Sequence, residues 1–144
     1  MEIIVKRLHP DAVLPQYHHS GDAGFDLVAI ESVELLAGGG RALVATGFAL
    51  AIPEGFAGFV LPRSGLAARH GVTCANSPGL IDSGYRGEVK VALVNLDSRH
   101  DYEVRKGDRI AQLVVLTVPY VRYAEAANLS EAQRGEGGFG SSGR

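Results

Sequence analysis

Four stretches of the chain run or alternate apolar over strand-like lengths and stop at Gly, Pro or Asp. They are ALVATGFALAIP (Ala42 to Pro53), GFAGFVLP (Gly55 to Pro62), GEVKVALVNL (Gly87 to Leu96) and RIAQLVVLTV (Arg109 to Val118). In the third, Val89, Val91 and Leu93 fall on one face and Lys90 on the other, the period of two expected of a half-buried strand. Valine-rich runs roughly 8–15 residues apart, closed by turn formers, predict an all-β sandwich or barrel. Turns are predicted at PEG (Pro53 to Gly55), DSGYRG (Asp82 to Gly87) and RKGD (Arg105 to Asp108). NSPGLIDSGYRGEVKV (Asn76 to Val91) reads as a hairpin with its tip at Asp82 to Tyr85.

Helical signals are sparse. SGLAARHG predicts a two-turn helix with Ser64 as its cap and Gly71 as its stop. AEAANLSEAQ (Ala124 to Gln133) fits either a turn or a short helix. There is no internal repeat. Past Gln133 the composition shifts to Gly and Ser, which divides the chain into a β domain at 1–133 and a Gly-rich tail at 134–144.

Composition sharpens this picture by exclusion. A chain of 144 residues, 46% hydrophobic and 21% charged, can bury a core and is not disordered as a whole. Its formal net charge of −2 announces neither a nucleic-acid nor a membrane partner, so any anion site must come from local clustering. Cys74 is the sole cysteine, which excludes an internal disulfide and a cysteine-based metal cluster. Met1 to Pro10 carry no charged-then-apolar leader pattern and no apolar run nears the ~18–20 residues of a membrane span, so a cytoplasmic protein is expected. On that expectation the sequon at Asn128-Leu129-Ser130 is set aside.

Five stretches carry candidate chemistry. In PRSGLA (Pro62 to Ala67), Arg63 and Ser64 stand at a helix start, where free N–H groups, a hydroxyl and a guanidinium suit a phosphate, though taken alone the stretch reads more readily as an ordinary cap with a solvated arginine. In the Asn76 to Val91 stretch, Asp82 either positions a water or builds the turn, and Tyr85 either packs on a sugar or covers a core edge. DAGFDLVA (Asp22 to Ala29) gives Asp22 a turn role and sets Asp26 between Phe25 and Leu27, where a buried carboxylate must find partners. GDRIAQLVV (Gly107 to Val115) places Arg109 and Gln112 in an apolar strand, Arg109 as an ion pair or a ligand contact. The tail RGEGGFGSSGR spells G-x-G-x-x-G at Gly135, Gly137 and Gly140, but a dinucleotide turn needs a following helix and an acid ~20 residues on. No zinc-protease helix, phosphate-loop lysine or nucleophile elbow occurs, and the five histidines lack metal-ligand spacing.

The order of AGFDLVA, PRSGLA, GLIDSGYRGEV, GDRIAQLVV and RGEGGFGSSG resembles the five motifs of the homotrimeric dUTPase family (deoxyuridine triphosphate nucleotidohydrolases), over most of Ala23 to Gly143. The resemblance implies a distorted β-barrel or jelly-roll-like subunit that trimerises, with active sites between subunits. It implies hydrolysis of dUTP to dUMP and pyrophosphate, which limits uracil incorporation into DNA and supplies dUMP for dTMP synthesis. Asp82 is then the general base for water attacking the α-phosphorus, and Tyr85 packs on the deoxyribose. Gly79, Leu80 and Ile81 pair with the uracil edge alongside Asn76, and Lys90 joins the substrate contacts. Arg63, Ser64, Gly65 and Gln112 hold phosphates, with Asp26 and Arg109 in support. The tail closes as a lid, with Arg134 on the phosphates, Phe139 on the base, and Gly140 and Ser141 against the nucleotide. The resemblance also implies Mg²⁺ held by the triphosphate and water. Ser142 stands where the family usually has threonine, and Asp22 where many members have serine. A dCTP deaminase of the same fold is the nearest rival, though its motif resembles RSS rather than the RSG at Arg63 to Gly65; a binding module without turnover is the other alternative.

Overall fold

The computed structural model describes residues 1–132 and 135–137. In chain order the strands are β1 (Ile4–Arg7), β2 (Phe25–Val28), β3 (Val33–Leu35), β4 (Arg41–Ala51) and β5 (Phe56–Pro62). After the helix α1 (Ser64–His70) come β6 (Val72–Cys74), β7 (Gly79–Ile81), β8 (Glu88–Asn95), β9 (Tyr102–Val104) and β10 (Arg109–Thr117). The expected all-β fold with one short helix is what forms among the described residues. Two four-stranded sheets run in the orders β1-β4-β8-β6 and β2-β10-β5-β7, with a β3-β9 ribbon beside them, and every pairing is antiparallel.

Alternation along the central strands explains why the sheets close on one core. In β8, Val89, Val91 and Leu93 are buried while Lys90 is exposed, as the period of two requires. In β10, Ile110, Ala111 and Leu113 are buried and Gln112 is exposed. These side chains from opposite sheets belong to one cluster that also holds Leu27, Phe48 and Ile52. Burying a side chain of this size is worth about 1.5–3 kcal/mol, so the shared cluster is what joins the two sheets. Two buried polar groups are matched within it. The Thr46 hydroxyl donates to the Val89 carbonyl over 2.5 Å, and the Asn95 amide donates to the Leu35 and His100 carbonyls.

The three predicted turns each close with a backbone bond spanning three residues: Phe56 N–H to Pro53 O, Tyr85 N–H to Asp82 O, and Asp108 N–H to Arg105 O. α1 ends as expected, at Gly71 with φ 66°, a left-handed conformation that favours glycine. Its start differs from the sequence reading. Arg63, not Ser64, is the cap residue, in extended conformation and without a side-chain capping bond. The Arg63 guanidinium is drawn elsewhere, as described below, and Ser64 is already in the first helical turn.

Asn76 to Val91 is not a hairpin. β7 pairs with β5 in one sheet and β8 with β4 and β6 in the other, so the DSGYRG turn carries the chain from sheet to sheet. Local alternation and turn chemistry are the same for both arrangements, and only the shared core separates them. Residues 124–132 form no helix, only a bend at Ala127 and Asn128.

Candidate functional site

Register brings the first half of the site together. β10 lies between β2 and β5, so Gln112 is opposite Asp26 on one side and Leu61 on the other. The two strands bring Arg109 and Asp26 together, and the end of β5 adds Arg63. Asp26 takes two cations: Arg109 Nη1 lies 3.3 Å from Oδ2 and Arg63 Nε 3.4 Å from Oδ1. Arg63 Nη1 also donates to the Arg109 carbonyl over 2.9 Å. Only 10% of the Asp26 side chain is exposed, and Oδ1 is fully buried with the Arg63 charge beside it in place of a hydrogen bond. The carboxylate expected to need partners has them, and Arg109 is its ion-pair partner.

Close approach of β2 to β10 depends on Gly24. A Cβ there would sit 2.7 Å from the Leu113 carbonyl oxygen and 2.8 Å from Val114 Cγ2. The smallest side chain is therefore a requirement of the strand pairing that sets Asp26 beside Arg109.

Around this cluster opens a cavity of ≈ 650 Å³, lined among others by Asp26, Arg63, Arg109 and Gln112. Two guanidiniums and a primary amide facing one solvent-open cavity suit an anion with several oxygens, such as a polyphosphate. Ser64 and Gly65 follow Arg63 at the head of α1, Ser64 exposed and Gly65 placed so that a Cβ would meet only Arg69 Nη2, at 4.0 Å. His18 and Asp22 also line the cavity, and sequence reasoning assigned neither to it. Asp22 does take the expected turn role, since its Oδ2 accepts the His18 and His19 backbone N–H groups at 3.2 and 2.8 Å. That bracing sets His18 Nε2 3.6 Å from Asp26 Oδ2, a contact no local pattern announces.

The second half of the site lies elsewhere on the chain. β7 is an edge strand, with one side on β5 and the other unpaired among the described residues. Gly79 and Ile81 are buried, whereas Leu80 between them is 61% exposed. The Asn76 amide lies against Gly79, where a Cβ would be 3.2 Å from Nδ2. Asp82 follows directly, exposed, with no side-chain hydrogen bond or ion pair among the described residues. The Tyr85 hydroxyl donates to the Glu88 carbonyl over 2.9 Å, which ties the ring down over Gly87. Lys90 pairs with Glu88 at 3.4 Å. Leu80, Ile81, Tyr85 and Lys90 share a smaller cavity of ≈ 230 Å³.

These halves are far apart within one chain. Ile81 is in register with Gly58, so Asp82 follows at the Phe56 end of β5, while Arg63 follows the opposite end. Six residues at ~3.3 Å each put roughly 20 Å of strand between them. Of the remaining predicted site residues, Arg134, Phe139, Gly140 and Ser141 lie outside the described residues. Among the described residues no group of three or more His, Cys, Asp or Glu converges in a way that could hold a metal ion, and no helix is long and apolar enough to cross a membrane.

Known proteins are similar to this chain in sequence and in fold. The deoxyuridine 5'-triphosphate nucleotidohydrolase of Thermobifida fusca is 53% identical over 143 residues, covering 99% of this chain and 79% of the relative. Its namesake in Wolinella succinogenes is 50% identical over 144 residues, covering 100% and 95%. Among solved structures, the Staphylococcus bacteriophage 80alpha dUTPase with dUPNHPP superposes at a TM-score of 0.91, with 29% identity and 99% of both chains covered. Fold, anion cavity and likenesses together define an all-β nucleotide hydrolase. Residues 11–143 match the dUTPase family, and the chain belongs to it.

Proposed function

We propose that the protein hydrolyses dUTP to dUMP and pyrophosphate in a site that one copy cannot complete alone. The observation that carries this reading is the separation of Asp82, exposed and without a side-chain partner among the described residues, from the guanidinium-lined cavity by roughly 20 Å of strand. A carboxylate that activates water at the α-phosphorus must lie next to the phosphates. The Asp82 loop of one copy therefore faces the Arg63, Arg109 and Gln112 cavity of another, and a cyclic homotrimer closes such a head-to-tail arrangement with three equivalent sites. The tail at 134–144 completes the site as a lid.

Each residue has work suited to its surroundings. The open edge of β7 offers backbone N–H and C=O groups to a base, with the Asn76 amide alongside, so Gly79 to Ile81 pair with uracil much as another strand would. Cytosine reverses the donor and acceptor pattern on that edge and leaves buried groups unmatched. The Tyr85 ring, fixed by its hydroxyl, presents its exposed face to the deoxyribose and leaves no room for a 2′-hydroxyl. Lys90 adds positive charge at the same wall.

Asp82 holds a water and accepts its proton as the oxygen attacks the α-phosphorus. The bond from that phosphorus to the oxygen bridging the β-phosphate breaks, and pyrophosphate leaves. Arg63, Gln112 and the N–H groups near Ser64 and Gly65 stabilise the phosphate oxygens, the main resource for such transfers. Asp26 and Arg109 keep Arg63 in place. Arg134 and Phe139 close over phosphates and base, and Gly140 and Ser141 bring main chain against the nucleotide. The cavity's donor set fits a Mg²⁺ carried by the nucleotide, because its carboxylates are already engaged: Asp26 by two arginines and Asp22 by two backbone N–H groups. When bound, the ion supplies positive charge to the triphosphate oxygens.

A nucleotide panel tests the reading. With Mg²⁺ present, dUTP is expected to release pyrophosphate while dCTP, dTTP and UTP release little. Conversion of dCTP to a uracil nucleotide would point to deamination, and tight dUTP binding without product to a binding module.

A further inference from the structure

The described ionisable groups lining the anion cavity are Arg63, Arg109, Asp22, Asp26, His18 and His19. Two guanidiniums stand against two carboxylates, so with neutral imidazoles the formal charges cancel. Among the described residues of one copy the cavity is thus neutral in its fixed charges, and the histidines decide the sign of that lining. His18 is the better placed, because Nε2 lies 3.6 Å from Asp26 Oδ2 and its side chain, 48% exposed, lines the cavity. The loop presenting it is braced by Asp22.

We propose that His18 is a phosphate-binding residue whose protonated form adds the third cation of the cavity and tightens polyphosphate binding as pH falls. This rests on the reading of the cavity as the triphosphate site. Among the described residues, the charged and titratable groups that line the cavity with His18 are Asp26 on β2, Arg63 after β5, Arg109 on β10, and Asp22 and His19 on its own loop. Imidazole is the side chain that changes charge between pH 5 and 8, whereas arginine and aspartate keep theirs throughout that range. A protonated His18 near Asp26 Oδ2 also offsets that carboxylate's repulsion of an incoming phosphate. The guanidiniums, otherwise partly neutralised by Asp26, then act on the ligand more fully. Binding the anion in turn favours the protonated imidazole, so association takes up protons from solution.

The test compares the full chain with His18→Gln and His18→Arg, by calorimetric titration of dUPNHPP with Mg²⁺ at pH 6 and pH 8. The ligand's own phosphates titrate in this range, but they do so equally for every variant, so ratios between variants isolate residue 18. Relative to the unaltered chain, His18→Gln is expected to bind about fivefold more weakly at pH 6 and equally at pH 8, a loss scaled for one partly exposed charge. His18→Arg is expected to match the unaltered chain at pH 6 and exceed it about fivefold at pH 8, because its charge does not titrate. A His18→Gln to unaltered Kd ratio that is the same at both pH values overturns the proposal. So does His18→Arg binding no tighter than the unaltered chain at pH 8. Pyrophosphate release from dUTP by the unaltered chain is followed separately, so a failed enzyme assignment is distinguishable from a failed role for His18.

Discussion

Arg63, the cap residue that follows β5, and Arg109, at the start of β10, share the single carboxylate of Asp26 at 3.4 and 3.3 Å. Like charges held this close need a common counter-ion, and Arg63 gains further direction from the Arg109 carbonyl at 2.9 Å. Asp26→Asn keeps the shape and removes the charge. The arginines then lose their anchor and swing toward solvent, which outweighs the relief of the carboxylate's repulsion of phosphate, so KM for dUTP is expected to rise about tenfold as charged hydrogen bonds of ~1.5–3 kcal/mol are lost. Steady-state kinetics on the variant measures this, and an unchanged KM would show that Arg63 holds its place without Asp26.

Asp82→Asn separates binding from chemistry. The amide fits the same space but cannot accept the water's proton, so turnover should fall about 10²–10⁴-fold while dUPNHPP binds as before. Parallel kinetic and calorimetric measurements give both numbers. A variant as fast as the unaltered chain removes Asp82 from the base role.

Gly24→Ala acts through the sheet. The added methyl meets the Leu113 carbonyl at 2.7 Å, and backbone cannot yield as a flexible side chain would. Destabilisation of about 1–3 kcal/mol is expected in urea unfolding. Activity should fall as well, since β2 carries Asp26.

Asp97 reports on acid. The Arg99 and His100 backbone N–H groups, donating to Oδ1 at 2.8 and 2.9 Å, hold its pKa down to about 2 from the ordinary 3.8. A lowered folded pKa means the stabilisation is present above the unfolded value and is lost as pH falls through about 2. Carboxyl NMR titration should place the Asp97 midpoint near that value. Asp97→Ala should weaken the corner between β8 and β9 at pH 7 but not near pH 1.

Ending the chain after Gln133 tests the lid. The β sheets and their core lie before that point, so the elution volume of the assembly should stay unchanged. Loss of closure over the nucleotide should lower kcat/KM about 10²-fold. If the shortened chain elutes as a monomer, the tail holds the assembly together and the lid role fails.

The sequence by itself determined what is local. Alternation in Val89 to Leu93 marks β8, and turn chemistry marks Pro53, Asp82 and Arg105 as corners. Gly71 ends the helix because a left-handed residue is needed there. The five motifs likewise stand in the sequence in order, and their likeness to the family needs no tertiary contact. Tertiary structure decided what depends on register and packing. Ser64 yielded the cap position to Arg63, and the expected hairpin became a crossing between sheets, because a shared core rewards arrangements that local patterns cannot tell apart. Only the place of β10 between β2 and β5 brings Arg109 to Asp26 across 83 positions of chain, and only the loop braced by Asp22 turns His18 into that cavity. Side-chain periodicity encodes which face of a strand is buried, whereas the choice of neighbouring strand follows from the free energy of the whole core.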